Sequence, residues 1–165
     1  MKKLFNLSFI KLLNLSSIKS YISSFQLGVL PPKPHQFVTH SLQSSLEGNL
    51  SEIVNSINIL MPQLSEFINQ FHTVISENHV NVFSDAYGNM SIDVPTTMSD
   101  AEGERLSQRI GVIDRIIAAR SQEIETLVHK GLEVESKIKT SDPNFNSQIL
   151  SKVNELKRLN DSYKH

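Results

Sequence analysis

The sequence lacks cysteine and tryptophan altogether. Without cysteine the chain has no disulfide, no thiolate metal ligand and no cysteine nucleophile, and nothing favours a disulfide-stapled secreted protein. Its 165 residues suffice for one domain plus a tail. Because apolar residues make up only 39% of the chain, we expect a modest or elongated core.

The common catalytic signatures are also missing. The sequence contains no Gly-x-Ser-x-Gly, no His-Glu-x-x-His, no calcium loop and no Gly-rich phosphate loop, and its six histidines have no ligand-like spacing. The acid pairs Glu123/Glu125 and Glu133/Glu135 point in divergent directions on a helix, so they are interpreted as a solvated face. The sequence therefore predicts no enzyme, no cofactor and no metal site.

Acidic residues are absent from the start of the chain. No acid precedes Glu47, whereas five lysines do. From Glu47 onward 17 acidic residues outnumber 11 basic ones, which gives that part a formal charge of −6. Its basic residues alternate with acids along helix faces instead of forming one patch, so no nucleic-acid partner is expected.

Residues 1–26 form a basic, serine-rich segment whose apolar residues recur at helical spacing. It has no apolar run of transmembrane length, and Asn and Ser interrupt any signal-peptide core. The composition is typical of a mitochondrial targeting helix, although no arginine precedes Arg105. The alternatives are a helix that lies on a membrane surface, an ordinary docking helix, and the coding bias of an AT-rich genome. The residues assigned to targeting or membrane contact are Lys2, Lys3, Phe5, Phe9, Lys11, Leu12 and Lys19.

A linker is predicted over residues 27–48, because Gly28, Pro31, Pro32 and Pro34 oppose regular helix. A helical domain is predicted from residue 49 to residue 165. Its first helix should begin at an Asn49 N-cap and carry an apolar stripe from Leu50 to Val74. This stripe is wide enough to face more than one neighbour.

The hydrophobic period then changes from helical to alternating. Residues 79–83 and 90–94 each alternate in polarity around a loop that contains Gly, Asn and Asp, which predicts a β-hairpin near residues 79–94. A lone hairpin is marginal in water, so it should pack on a helix or join another sheet. Tyr87 at its tip is interpreted as an exposed loop tyrosine in preference to a recognition residue.

A long helix over residues 99–139 is the element around which the rest is expected to be organised. Ser99 and Glu102 form a capping box at its start. Apolar residues follow at alternating steps of four and three, the heptad pattern of a helix that buries a narrow stripe against another helix. We call its predicted protein-interaction residues the heptad stripe: Leu106, Ile110, Ile113, Ile117, Arg120, Ile124, Leu127, Val134 and Ile138.

A helix stop and restart is predicted at residues 140–144, with Ser141 or Asp142 as the N-cap and Pro143 in the first turn. A shorter C-terminal helix follows, with Ile149, Val153 and Tyr163 on one face. The short connection favours an antiparallel helical hairpin. The fold class is thus mainly α: an amphipathic helix, a small β-hairpin, a long coiled-coil-like helix and a shorter C-terminal helix.

These features predict a non-enzymatic helical structural or assembly subunit that acts through coiled-coil or helical-hairpin contacts. Its partner would be another protein or a second copy of the chain, in a membrane-associated complex in the mitochondrial matrix or at the inner-membrane surface; otherwise the protein would be cytoplasmic. One alternative is a peripheral membrane protein anchored by its N-terminal helix. Another is a viral or endosymbiont structural protein or effector whose coding bias imitates a targeting segment.

Overall fold

A computed structural model describes residues 3–7, 40–87 and 89–164 of the chain. These residues are mainly helical and contain three helices and a β-hairpin, which confirms the predicted fold class. In chain order the elements are β1 (Lys3–Leu7), α1 (His40–Glu77), β2 (Asn81–Ser84), β3 (Met90–Val94), α2 (Asp100–Ser141) and α3 (Leu150–Tyr163).

The described residues fall into two compact units. The first contains the sheet together with residues 62–121 and 159–164, apart from residue 88, and the second contains residues 40–61 and 122–158. Helix α2 packs against both α1 and α3, as expected of a helical hairpin.

The strands form an antiparallel sheet in the order β1-β3-β2. Val82 lies opposite Ile92 in the β2–β3 register, the pairing that the alternating pattern suggests. On the other side of β3, Lys3–Leu7 pairs antiparallel with Met90–Val94. The hairpin thus gains a third strand from the beginning of the chain, which meets the expectation that it must join another element.

The beginning of the chain differs from its prediction. Lys3–Leu7 is a strand and not the start of an amphipathic helix, because the backbone donors and acceptors of β3 are available for pairing along its free side. Of the residues assigned to targeting or membrane contact, Lys2, Phe9, Lys11, Leu12 and Lys19 lie outside the described residues. So do residues 27–39 of the predicted linker.

Helix α1 begins at His40, before the predicted N-cap at Asn49. Residues 40–48 are therefore helical and not part of a linker. This stretch contains no proline, its single Gly48 has open space where a Cβ would lie, and Gln43 Nε2 donates to Glu47 Oε1 one turn on, at 3.3 Å. Nothing in the stretch opposes helix strongly enough to end it, because an exposed helical glycine costs only about 1 kcal/mol.

The buried side of α1 is narrower than the sequence predicts. Its buried apolar side chains repeat at steps of seven, four and three, which places them in a single narrow stripe. Ile53, Leu60 and Phe67 are only half-buried, and Ile59 is 64% exposed. The buried members are Leu50, Ile57, Met61, Leu64, Ile68, Phe71 and Val74.

The buried side of α2 is broader than the heptad stripe, since a second row of residues beside it is also buried. Several members of this row are polar or charged, which is why the hydrophobic pattern does not reveal them. The whole row consists of Ser107, Asp114, Ala118, Ser121, Glu125, Val128, Leu132 and Glu135. The prediction that Glu125 and Glu135 belong to a solvated face is therefore wrong.

The start of α2 and the start of α3 are each fixed by a local capping interaction. The Ser99 backbone N–H donates to Glu102 Oε2 at 2.8 Å, and the Glu102 N–H donates back to Ser99 Oγ at 3.3 Å. This is the predicted capping box. The helix ends at Ser141. The prediction that Ser141 or Asp142 caps the next helix is wrong, because α3 starts only at Leu150. Its cap is Ser147, whose Oγ accepts from the Leu150 N–H at 3.1 Å.

Candidate interaction surface

The structure divides the heptad stripe into buried and partly exposed members. Six residues are buried in the chain's own core: Leu106, Ile110, Ile113, Ile117, Ile124 and Ile138. Arg120, Leu127 and Val134 are half-buried. These three follow one another at intervals of seven residues, so they form a row along one edge of the buried face of α2.

Gly131, which interrupts the heptad stripe, lies where three segments meet. A Cβ built on Gly131 would lie 2.7 Å from Ile149 Cδ1 and 3.3 Å from Ile53 Cγ2. Ile149 precedes α3 and Ile53 belongs to α1, so the missing side chain allows both to approach the α2 backbone. Packing explains this glycine better than flexibility does.

The second buried row of α2 is fixed by polar contacts to the end of α3. The Tyr163 hydroxyl donates to Asp114 Oδ1, and Ser121 Oγ donates to Asn160 Oδ1 at 3.1 Å. Tyr163 also packs edge-on against Phe71 of α1, with ring centroids 4.9 Å apart. The contacts are antiparallel in register, because the earlier residue of α2 meets the later residue of α3.

Burial governs the protonation of these groups. It raises the pKa of the Asp114 carboxyl above its usual value, while the hydrogen bond from Tyr163 works in the opposite direction. Burial and the adjacent Asp114 carboxyl both raise the pKa of Tyr163. Because each shift favours the neutral form, burial of this hydrogen-bonded pair is suited to holding the helices in register.

Glu135 has a comparable structural role at the other end of α3. Its two oxygens accept from Ser147 Oγ and from the Gln148 N–H, both at 2.6 Å. A carboxylate is favourable there, because backbone N–H groups are unsatisfied at a helix N-terminus. Burial nevertheless raises the pKa of Glu135.

Exposed aromatic side chains lie on the hairpin. Phe83 on β2 is 50% exposed and Tyr87 in the following loop is 83% exposed. In the described sheet β2 lies at the edge, and its side chains are mostly solvent-facing. We call Phe83, Tyr87 and strand β2 the hairpin surface.

A local hydrogen-bond network holds the loop that carries Tyr87. Asp85 Oδ1 accepts from the backbone N–H groups of Tyr87, at 2.9 Å, and of Asn89, at 2.8 Å. Asp85 Oδ2 accepts from Asn89 Nδ2 at 2.7 Å, and the Asp85 N–H donates to the Asn89 carbonyl at 3.0 Å. The carboxylate therefore holds the backbone at Tyr87 and Asn89 without using the tyrosine side chain.

A cleft of about 520 Å³ lies elsewhere in the same unit, between the end of α1, residues 95–98 and the first turns of α2. Glu77, His79, Arg105 and Arg109 contribute to its lining. Hydrogen bonds from the Ser99 backbone and from its hydroxyl, together with the charge of Arg105, lower the pKa of Glu102 beside this cleft. The Glu102 carboxylate thus already accepts hydrogen bonds within the capping box.

Within the described ranges, no three His, Asp or Glu side chains are placed to hold a metal ion. No described helix has an apolar stretch long enough to cross a bilayer. Comparison of the chain with family models, with curated proteins and with solved structures finds no match.

Proposed function

We propose that this chain is a non-enzymatic helical subunit of a larger assembly and works through protein–protein contacts. The observation that carries the proposal is the hairpin surface. It presents Phe83 at 50% and Tyr87 at 83% exposure beside an edge strand. Tyrosine is favoured at interfaces because its ring buries much apolar area at a low entropic cost.

The order of the Tyr87 loop supports this choice. A flexible loop must give up conformational freedom when it binds, which subtracts from affinity. The contacts of Asp85 with the Tyr87 and Asn89 N–H groups remove much of that freedom in advance. An exposed tyrosine whose backbone N–H is already held by a hydrogen bond is suited to act as an interface anchor.

The heptad stripe has a divided role in this proposal. Its buried members stabilise the helical hairpin of the chain itself. The half-buried row of Arg120, Leu127 and Val134 supplies the remaining coiled-coil contact, to a partner protein or to a second copy.

Size-exclusion chromatography of a native extract tests the assembly. The chain, whose own mass is 18.6 kDa, should elute in a much larger species. A double variant, Phe83→Ser with Tyr87→Ala, should shift it toward the monomer position, because both side chains are exposed and the fold should tolerate their loss. Thr73→Ala, at an exposed position of α1, is the matched control. Monomeric elution of the unaltered chain would reject the proposal.

For location, we propose a mitochondrial site, in the matrix or at the inner-membrane surface, with residues 1–26 as the targeting segment. N-terminal sequencing of the mature native protein tests this, since a start between residues 20 and 48 is the expected result. An intact Met1 would refute cleavage.

The β1–β3 pairing favours a second candidate, in which residues 1–26 stay on the mature chain and contact a membrane. Cleavage would remove Lys3–Leu7 from the sheet and leave β3 with a free edge. Flotation with liposomes, with and without residues 1–26, tests the candidate. Equal binding of both forms would reject membrane contact through this segment.

A further inference from the structure

The cleft beside the start of α2 carries cationic side chains that the assembly function does not use. Arg105 and Arg109 are one helical turn apart, so both point from the same side of α2, and both are exposed. The imidazole of His79 joins them from the end of α1. Between the arginines Leu106 is 7% exposed and gives the lining a firm apolar base.

The carboxylates that line the cleft neutralise the two arginines to different degrees. Glu102 Oε2 already accepts from the backbone N–H and the hydroxyl of Ser99, both at 2.8 Å, and Arg105 lies close enough to act on it electrostatically. Arg109 has no ion pair with an acid among the described residues. Glu77 is the other carboxylate of the lining.

His79 occupies a position at which a side chain is costly. Its φ is 52°, and its N–H donates to Ser76 while the Val80 N–H donates to Ile75, at 3.3 and 3.1 Å. This is the Schellman end of a helix, where the left-handed residue is usually glycine. The chain carries a histidine there that lines the cleft, although glycine would fit the backbone better.

We propose that this cleft binds a small oxyanion, a phosphate or carboxylate group, between Arg109, Arg105 and His79. A guanidinium presents paired N–H donors that match the two oxygens of such a group. The cleft, with a volume of about 520 Å³, has ample room for a group of this size. The negative charge of Glu77, which also lines the cleft, repels an anion and so limits the affinity. Removing that charge should therefore strengthen binding.

The test is an NMR titration of the full chain, at low ionic strength, with inorganic phosphate and separately with succinate. We expect saturable shifts of the Arg105, Arg109 and His79 amides with at least one of them. The anion that binds with the lower Kd shows whether the cleft prefers a phosphate or a carboxylate group. No saturable shift with either, up to tens of millimolar, would overturn the proposal.

Substitutions then identify the groups that bind. Arg109→Gln should weaken binding about tenfold, the loss expected when one charge-assisted contact is removed, and Glu77→Gln should strengthen it. Arg115→Gln is the matched control, since Arg115 is exposed on the same helix and its Nε donates to the Gly111 carbonyl at 3.2 Å. Equal weakening by Arg115→Gln would show unspecific charge attraction and refute the site.

His79→Gly separates a ligand role from a folding role. The variant should bind the titrated anion several-fold more weakly while remaining at least as stable as the parent. Unchanged affinity would remove His79 from the site. Because the assembly function is tested at the hairpin surface, these results succeed or fail independently of it.

Discussion

Gly131→Ala should destabilise the protein even though alanine favours helix more than glycine does. The new Cβ would lie 2.7 Å from Ile149 Cδ1, 2.8 Å from Ile149 Cγ1 and 3.3 Å from Ile53 Cγ2. Ile149 is completely buried, so it has little room to withdraw. Overpacking of this kind costs about 1–3 kcal/mol, whereas the gain in helix propensity is about 1 kcal/mol.

Gly48→Ala is the matched control, because Gly48 is also helical and has nothing within 4 Å of the built Cβ. It should gain about 1 kcal/mol of unfolding free energy. The two variants should therefore differ by about 1–3 kcal/mol, which is the packing cost alone. Urea denaturation of the full chain measures both free energies.

Measuring Gly131→Ala in an Ile149→Val variant tests whether the new Cβ clashes with Ile149 Cδ1. Valine lacks the Cδ1 atom, so Gly131→Ala should cost less in that background than in the parent, after the separate cost of Ile149→Val is subtracted. Equal stabilisation by Gly131→Ala and Gly48→Ala would refute the close approach of Ile149 to α2.

Three further changes test other contacts. His79→Gly should raise the unfolding free energy by roughly 0.5–1 kcal/mol, because glycine adopts the positive φ of 52° without a Cβ penalty; chemical denaturation measures it, and a loss of stability would contradict the reading. Ser99→Ala should lower the unfolding free energy by about 1 kcal/mol by removing the N-cap of α2, again by denaturation, and an unchanged value would count against the capping box. Burial raises the pKa of Asp114 above the ordinary 3.8, so the native state holds its proton to higher pH than the unfolded state and stability is lost as pH rises through the folded pKa. Asp114→Asn should therefore gain stability relative to the parent as the pH rises above 3.8, and parallel stability–pH curves would refute the assignment.

The elements of the fold were predictable where local sequence determines them. The capping box of Ser99 and Glu102 correctly marks the start of α2, and alternation correctly marks the hairpin strands. The start of α1 was not predictable from an N-cap pattern, since residues 40–48 become helical with only weak local signals.

The widths of the buried faces could not be predicted from hydrophobicity. The sequence suggests a wide stripe on α1 and a narrow one on α2, and the structure shows the reverse. Asp114 and Ser121 are buried because Tyr163 and Asn160 of α3 supply hydrogen-bond partners. Such burial depends on residues 49 and 39 positions away, which a helical period does not reveal.

The candidate surface was partly visible in the sequence. Tyr87 was identified as a loop residue, but the order of its loop depends on the contacts of Asp85, which a sequence pattern only suggests. The cleft could not be foreseen, because it requires the end of α1 to lie beside Arg105 and Arg109.

The most direct test of the assembly proposal is site-specific photocrosslinking in the native cell. A photoreactive residue replaces Tyr87 in one variant and Thr73, an exposed position of α1, in the other. The proposal predicts discrete crosslinked products from position 87 and none of the same mass from position 73. No product from position 87, or the same products from both positions, would contradict it.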